Sequence, residues 1–309
     1  MKPYDENIEF KNIDDYLEHW DNFFKKWEKD PKATFEENVI WKNRKGTGEK
    51  ELEYDVFPQP YLGNIENHSV ITLNLNPSRS KKNKENIEFE KNNLPKFKKA
   101  ENYYKYAEIF PTYDTHPFWQ DQKKWIDRIF EKLGKDAPSE NKIKPFAIEI
   151  CPWGSKKFQT LKINEDDPLI KYMDIHVFDV IEKVIDNSKL KIVLSVGKAY
   201  YDIFEHKESG FRKIIECTKL QNSKAWDLKL DIDEEIKAEL NKAFFEEAWP
   251  KKKENNEDLR YVNRSFSFWK KNGVIYFNSW SPGSNKPPGE DFKDVEEIFF
   301  TIYKSLITK

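Results

Sequence analysis

The feature that most constrains the fold is the alternation of short apolar runs with amphipathic patterns. Four apolar runs of strand length lie at 69–75, 145–151, 191–196 and 274–278. The segments between them carry apolar residues at helical spacing. Strands that alternate with helices predict an α/β fold, here three α/β/α layers with a central, mainly parallel four-stranded sheet.

Helices are predicted at 13–27, 118–134, 173–185 and 292–306, where apolar residues fall on one face. Residues 30–66 are rich in Pro, Gly and charge, so we expect loops there, with room for a short strand.

The domain prediction is a single domain over residues 1–309. It carries an N-terminal helical extension, residues 1–66, and a charged insertion at about residues 205–272. Charged residues make up 35% of the chain, but 10 Trp and 23 Phe supply a core, so the charge does not indicate disorder.

Charge and cysteine content narrow the function classes. The formal net charge of −2 gives no global basic signal for nucleic acid, although a local basic groove can exist on an acidic protein. Cys151 and Cys217 are too few for a four-thiolate cluster, and they predict free thiols in a reducing compartment. The sequence shows no secretory signal and no apolar run of membrane-spanning length. We therefore expect a cytoplasmic monomer with no membrane partner.

Polar and aromatic residues follow each of the four predicted strands. The strand-end motifs are NLNP at 74–77, EICPWGS at 149–155, GKA at 197–199 and NSWSPGSNKPPG at 278–289, and YDTHPFW at 113–119 precedes a predicted helix. In parallel sheets ligands bind at the carboxyl ends of the strands. The sequence thus predicts a functional site at that edge. It contains no phosphate-binding GxxxxGK[ST] loop, no GxGxxG and no HExxH motif.

In their order, these motifs resemble those of the uracil-DNA glycosylase superfamily. Leu75-Asn76-Pro77 is similar to the I-N-P of the mismatch-specific and thymine-DNA glycosylase branch, with Asn74 in place of the branch glycine. HPFW resembles the N-x-F-W of that branch, SVGKAY its third-strand motif, and SWSPGSN its last motif of the type N-P-S-G-L-N. Ser279 and Trp280 stand where the family has His or Asn and then Pro.

The resemblance implies a role for each matching residue. Asn76 would hold the attacking water, Phe118 would stack on the flipped base, and Ser279 would occupy the catalytic position of the last motif. Further base contacts are implied at Leu75, Pro77, Trp153, Trp280 and Ser281, and phosphate contacts at Arg79, Ser284 and Lys286.

An amide at the water site cannot accept the proton of the water, so a nearby acid would assist the reaction. Glu149 stands near the end of the second predicted strand, where burial would raise its pKa and favour acid–base chemistry. The same position also suits an outward-facing strand residue that alternates with apolar neighbours. Asp114 and His116 are further candidates, and both also suit a turn or helix cap.

The implied activity is that of a monofunctional DNA glycosylase, which flips out a damaged, uracil or modified base and hydrolyses its N-glycosidic bond. Its partner would be single- or double-stranded DNA, modified phage-type DNA included, and no cofactor or metal is implied. Two alternatives stay open. The absent His in the last motif favours a catalytically inactive member that binds nucleic acid or a protein. The near-neutral charge favours an enzyme of free nucleotides or nucleosides.

Overall fold

The computed structural model describes residues 8–55, 58–75, 117–134, 145–155, 163–164, 166–220, 226–230, 262–280, 299–300 and 302–304. Strands and helices alternate along these segments, which confirms the α/β class. In chain order the elements are α1 (Ile13–Lys29), α2 (Pro31–Glu36), α3 (Val39–Lys42), β1 (Tyr61–Leu62), β2 (Val70–Asn74), α4 (Pro117–Lys132), β3 (Pro145–Glu149), α5 (Pro168–Met173), α6 (Asp179–Val184), β4 (Val193–Val196), α7 (Lys198–Phe204), β5 (Arg212–Leu220), β6 (Trp226–Leu230), β7 (Val262–Lys271) and β8 (Val274–Trp280).

Each of the four predicted strands is present, as β2, β3, β4 and β8. The predicted helices at 13–27 and 118–134 are confirmed as α1 and α4. The third lies within a longer helical stretch, in which the π-helical turn Asp174–Phe178 joins α5 to α6. Of the fourth, residues 299–300 and 302–304 are helical, and the rest lies outside the described residues.

The chain folds as two compact units. The first comprises Met1–Phe110 with Lys144–Leu190, and the second comprises Pro111–Ile143 with Lys191–Lys309. Each unit contains one pair of parallel strands, β2 with β3 in the first and β4 with β8 in the second.

In the first unit, β3 lies between β1 and β2. It pairs antiparallel with β1 and parallel with β2. All residues of β2 and β3 are buried, which explains why both strands read as nearly continuous apolar runs.

An aromatic layer built on α1 packs in the same unit. His19 and His176 are both buried, with ring centroids 5.2 Å apart, and Tyr172 stacks on His176 at 4.6 Å. Phe10 contacts both histidine rings edge-on. Burial lowers the pKa of His19 to about 4 and that of His176 well below its ordinary value, so both rings are neutral at pH 7.

Residues 31–42 form α2 and α3, so the prediction of loops was wrong there. The cause is local capping. The Asp30 carboxylate accepts the Ala33 N–H at 2.9 Å, with Pro31 at the first helical position, and the Asn38 side chain accepts the Trp41 N–H at 3.3 Å. Helices of six and four residues are too short for apolar periodicity to predict them.

The second unit has the strand order β4-β8-β7-β5-β6, and every pair after the first is antiparallel. The predicted charged insertion thus contributes β5, β6 and β7 to this sheet. Gly197 follows β4 with φ of 142°, a region that favours glycine, and its N–H donates to the Ser279 carbonyl at 2.9 Å. This geometry turns the chain directly into α7. None of the helices in the described segments combines the length and apolar character that a bilayer crossing requires.

Candidate active site

Two polar side chains lie side by side at the carboxyl ends of the parallel strands β2 and β3. Asn74 and Glu149 are directly paired in the register, and Asn74 Nδ2 donates to Glu149 Oε1 at 3.1 Å. Both are buried, with 6% and 4% of their surface exposed. Their backbones are held by ladder bonds, because the Ile150 N–H donates to the Asn74 carbonyl and the Glu149 N–H to the Pro60 carbonyl, both at 2.9 Å.

Burial controls the protonation of Glu149. It raises the pKa of that carboxyl from the ordinary 4.5 to about 8, and the hydrogen bond from Asn74 opposes the rise only in part. Within the described part of the chain, no cationic side chain forms an ion pair with Glu149 that would offset its burial. Because this pKa lies above 7, the protonated form of Glu149 predominates at neutral pH.

The hydrogen bond from Asn74 distinguishes the two oxygens of this carboxyl group. Since Glu149 Oε1 accepts from Asn74, we assign the hydroxyl of the neutral acid to Oε2. Oε2 and Asn74 Oδ1 are both shielded from solvent, and neither has a hydrogen-bond partner among the described residues. The pair therefore presents one unused donor, Oε2–H, and one unused acceptor, Oδ1. Buried groups of this kind cost free energy unless a ligand or water satisfies them.

Thr72 extends this polar edge. It lies two residues before Asn74 on β2, so alternation along the strand puts both side chains on the same face. Its hydroxyl is likewise buried and without a partner in the described segments. Three unused polar atoms thus lie on one face of two neighbouring strands.

Cys151 and Trp153 follow β3, and both are completely buried. The Cys151 thiol donates to the Trp153 carbonyl at 3.6 Å, and burial raises its pKa well above the ordinary value, so it is not a reactive thiolate. The Trp153 ring packs edge-on against Phe23 at 5.8 Å and Phe35 at 5.0 Å. The structure therefore places this predicted base contact in the core of the first unit.

Ser279 and Trp280 of the second unit point to opposite faces of β8, because successive strand side chains alternate. Ser279 is fully buried, in register with Val196 of β4, whereas Trp280 is partly exposed with its ring 6.5 Å from Tyr201. A pocket on one face of this sheet would be lined by one of the two side chains, and the structure does not bring them together.

A second ionisable cluster joins α7 to β5. The Lys213 ammonium donates to Glu216 at 2.8 Å and to the Tyr201 hydroxyl at 2.9 Å, pairs with Glu205, and lies 4.8 Å from the centre of the Trp269 ring. Burial raises the pKa of Tyr201 to about 12. Burial acts to lower the pKa of Lys213, but its hydrogen bonds to the two carboxylates outweigh that effect and raise it. Neither Tyr201 nor Lys213 exchanges a proton near neutral pH, so we assign the cluster no acid–base role. Its contacts link α7 to β5 of the sheet.

The remaining predicted residues are placed only in part. Leu75 directly follows β2 and is half-buried, and its carbonyl accepts the Cys151 N–H at 2.8 Å. Phe118 lies in the first turn of α4, where the side chains are not described. Outside the described residues lie Asn76, Pro77, Arg79, Asp114, His116, Ser281, Ser284 and Lys286.

Sequence reasoning missed Asn74 and Thr72 as site residues. Asn74 was noted in the strand-end motif and as a departure from the family glycine, but it was given no role in the site, and it is the direct partner of Glu149. One signal was available: two parallel strands whose last residues are an amide and a carboxyl bring those groups to the same edge. Groups of three or more His, Cys, Asp or Glu side chains able to hold a metal ion are absent from the described segments.

No protein-family model, curated protein or solved structure matches this chain.

Proposed function

We propose that the chain is a monofunctional DNA glycosylase of the uracil-DNA glycosylase superfamily, and that Glu149 is its general acid. The order of the strand-end motifs supports the family, and the buried pair of Asn74 and Glu149 supports the chemistry. The observation that carries the proposal is the buried carboxyl group of Glu149 at the end of a parallel strand, bound by Asn74 through one oxygen and with no partner for the other among the described residues.

The proposed reaction begins with the base flipped out of the DNA stack. As the C1′–N bond breaks, its electron pair moves onto the base, and the base takes the proton from Glu149 Oε2. Water held by Asn76 then forms the new C1′–O bond. The proton that this water loses returns to Glu149, so the acid is restored and no cofactor is consumed. A positioned general acid of this kind typically contributes about 10²–10⁴-fold to a rate.

The finer fold belongs to this proposal: β2, β3, β4 and β8 are the four strands of the mainly parallel core, and the antiparallel strands β1, β5, β6 and β7 are additions to it, of which β5, β6 and β7 were not predicted from the sequence. The parallel pairs β2–β3 and β4–β8 support it. DNA is the proposed partner, with Phe118 stacking on the base, Ser279 at the catalytic position of the last motif, and phosphate contacts from Arg79, Ser284 and Lys286. These roles rest on the resemblance.

An abasic-site assay tests the proposal. Purified full-length protein is incubated without metal with oligonucleotides that contain uracil, mismatched thymine or hypermodified cytosines, and with modified phage DNA, and is then treated with alkali. Asn76→Ala and Glu149→Gln are run beside the wild type. Glu18→Gln, at an exposed position on α1, makes the same chemical change away from the site and is the matched control.

We expect strand cleavage with wild type and Glu18→Gln, none with Asn76→Ala, and a rate at least about 100-fold lower with Glu149→Gln. Full activity of Asn76→Ala would exclude its role in holding water. DNA binding without cleavage would replace the proposal with an inactive nucleic-acid reader. No DNA binding at all would favour an enzyme of free nucleotides or a protein-binding role.

A further inference from the structure

Resting on the proposed function, we propose that the excised base is an amino-bearing base of the cytosine or adenine type rather than its oxo counterpart, and that Asn74 and Glu149 together read its amidine edge. The amidine edge is the ring nitrogen and the exocyclic amino group beside it.

The two unused atoms of the pair match this edge. Glu149 Oε2–H can donate to the ring nitrogen, which is an acceptor, and Asn74 Oδ1 can accept from the amino group. The two side chains leave the same face from paired positions of the parallel strands β2 and β3, and the hydrogen bond between Asn74 Nδ2 and Glu149 Oε1 holds them next to each other. Both atoms are shielded from solvent, so contact with a base requires the atoms that cover them to move aside.

Hydrogen bonding alone does not select the amino base. An oxo base such as uracil can accept from Oε2–H through its carbonyl oxygen and donate to Oδ1 through its ring N–H. The difference lies in the proton transfer. A ring nitrogen of cytosine or adenine is basic enough to take a proton as the glycosidic bond breaks, whereas a carbonyl oxygen of uracil is a far weaker base.

Amino and oxo bases also differ as leaving groups, and this difference too favours an amino base at this site. Uracil departs as a stabilised anion and needs hydrogen-bond donors more than an acid. Cytosine and adenine form poor anions and depart readily only when protonated. A site that keeps a carboxyl group neutral therefore supplies what the amino bases require.

The charge balance after proton transfer also favours an amino base. Transfer from Oε2 to the ring nitrogen leaves a carboxylate beside a cationic base, and the C1′–N electron pair then neutralises the departing base. No cationic side chain is paired with Glu149 within the described residues, so the protonated base is the counter-ion of this buried carboxylate. A neutral oxo base cannot act as the counter-ion of the Glu149 carboxylate.

The test uses oligonucleotides that form matched pairs, each pair differing only in an amino or an oxo group. The pairs are cytosine and uracil, 5-hydroxymethylcytosine and 5-hydroxymethyluracil, and adenine and hypoxanthine. The 5-position lies away from the amidine edge, so its substituent leaves the proposed contacts in place. Single-turnover rates of abasic-site formation are measured at pH 7 for wild type, Glu149→Gln and the control Glu18→Gln.

We expect the amino member of at least one pair to be released at least roughly tenfold faster than its oxo partner. Glu149→Gln should lower the amino rate by a larger factor than the oxo rate, and Glu18→Gln should match wild type. Faster release of the oxo member in every responsive pair would overturn this inference while the glycosylase proposal stands. No release from any oligonucleotide here or in the wider panel would overturn both.

Discussion

Replacing Glu149 by Gln should stabilise the protein, and the gain should grow with pH. Glutamine has the shape of the neutral acid but cannot ionise. The pKa of Glu149 is about 8 in the folded protein and 4.5 ordinarily, so the folded state holds a proton that the unfolded chain releases between these values. The stabilising effect of that proton is complete below pH 4.5 and is lost as the pH rises through 8.

The size of the effect follows from linkage. Each pH unit between the two pKa values is worth about 1.4 kcal/mol, so wild type loses about 3 kcal/mol relative to Glu149→Gln by pH 7 and about 5 kcal/mol above pH 8. A loss of this size is large beside the 5–15 kcal/mol that typically separates folded from unfolded states of a domain. Near pH 4.5 the two proteins should be almost equally stable.

Urea unfolding followed by tryptophan fluorescence, at half-unit steps from pH 4.5 to 9, measures the difference directly. Contributions from other titrating groups are common to both proteins and cancel. A difference that stays flat over this range, or a variant less stable than wild type at pH 7, would refute the claim that Glu149 is buried and neutral. Glu18→Gln, which lies on the surface, should show no pH-dependent gain.

Two further predictions concern the titration of buried groups. First, glycosylase activity of the wild type should be constant below pH 8 and fall about tenfold per pH unit above it, because Glu149 then loses its proton. Activity that rises through pH 8 would instead make Glu149 a general base. Second, the lowered pKa of His19, about 4, gives stability that is complete above pH 6.5 and is lost as the pH falls toward 4. Relative to wild type, His19→Phe should therefore gain roughly 3 kcal/mol between pH 6.5 and 4 in urea unfolding, and an unchanged pH dependence would contradict the burial of this ring.

Stability and activity should move in opposite directions in Glu149→Gln. A buried carboxyl with an unused hydroxyl weakens the folded state, and natural proteins tolerate such a cost mainly where function needs it. If Glu149 serves only the structure, its replacement by Gln stabilises the protein and leaves activity unchanged. A gain in stability together with a loss of base release is the signature of a functional acid.

The parts of the fold that could be predicted from the sequence are those with strong local periodicity. The spacing of Tyr16, Trp20, Phe23 and Phe24 predicted α1, and these four side chains are buried in the structure. The short apolar runs predicted β2, β3, β4 and β8. The short helices α2 and α3 were missed because their stability comes from the caps at Asp30 and Asn38 and from packing, rather than from a repeated pattern.

The same distinction between local sequence and tertiary packing applies to the candidate site. The sequence alone determined that Glu149 ends a strand, since that information is local. Only the tertiary structure decided its partner and its burial, because these depend on the register between two strands whose paired residues lie 75 positions apart. Trp153 illustrates the same rule: the aromatic at a strand end was evident from the sequence, but Phe23 and Phe35, which enclose its ring, come from distant helices. Local sequence sets the period and direction of an element, whereas desolvation and hydrogen bonding depend on which distant residues pack around it.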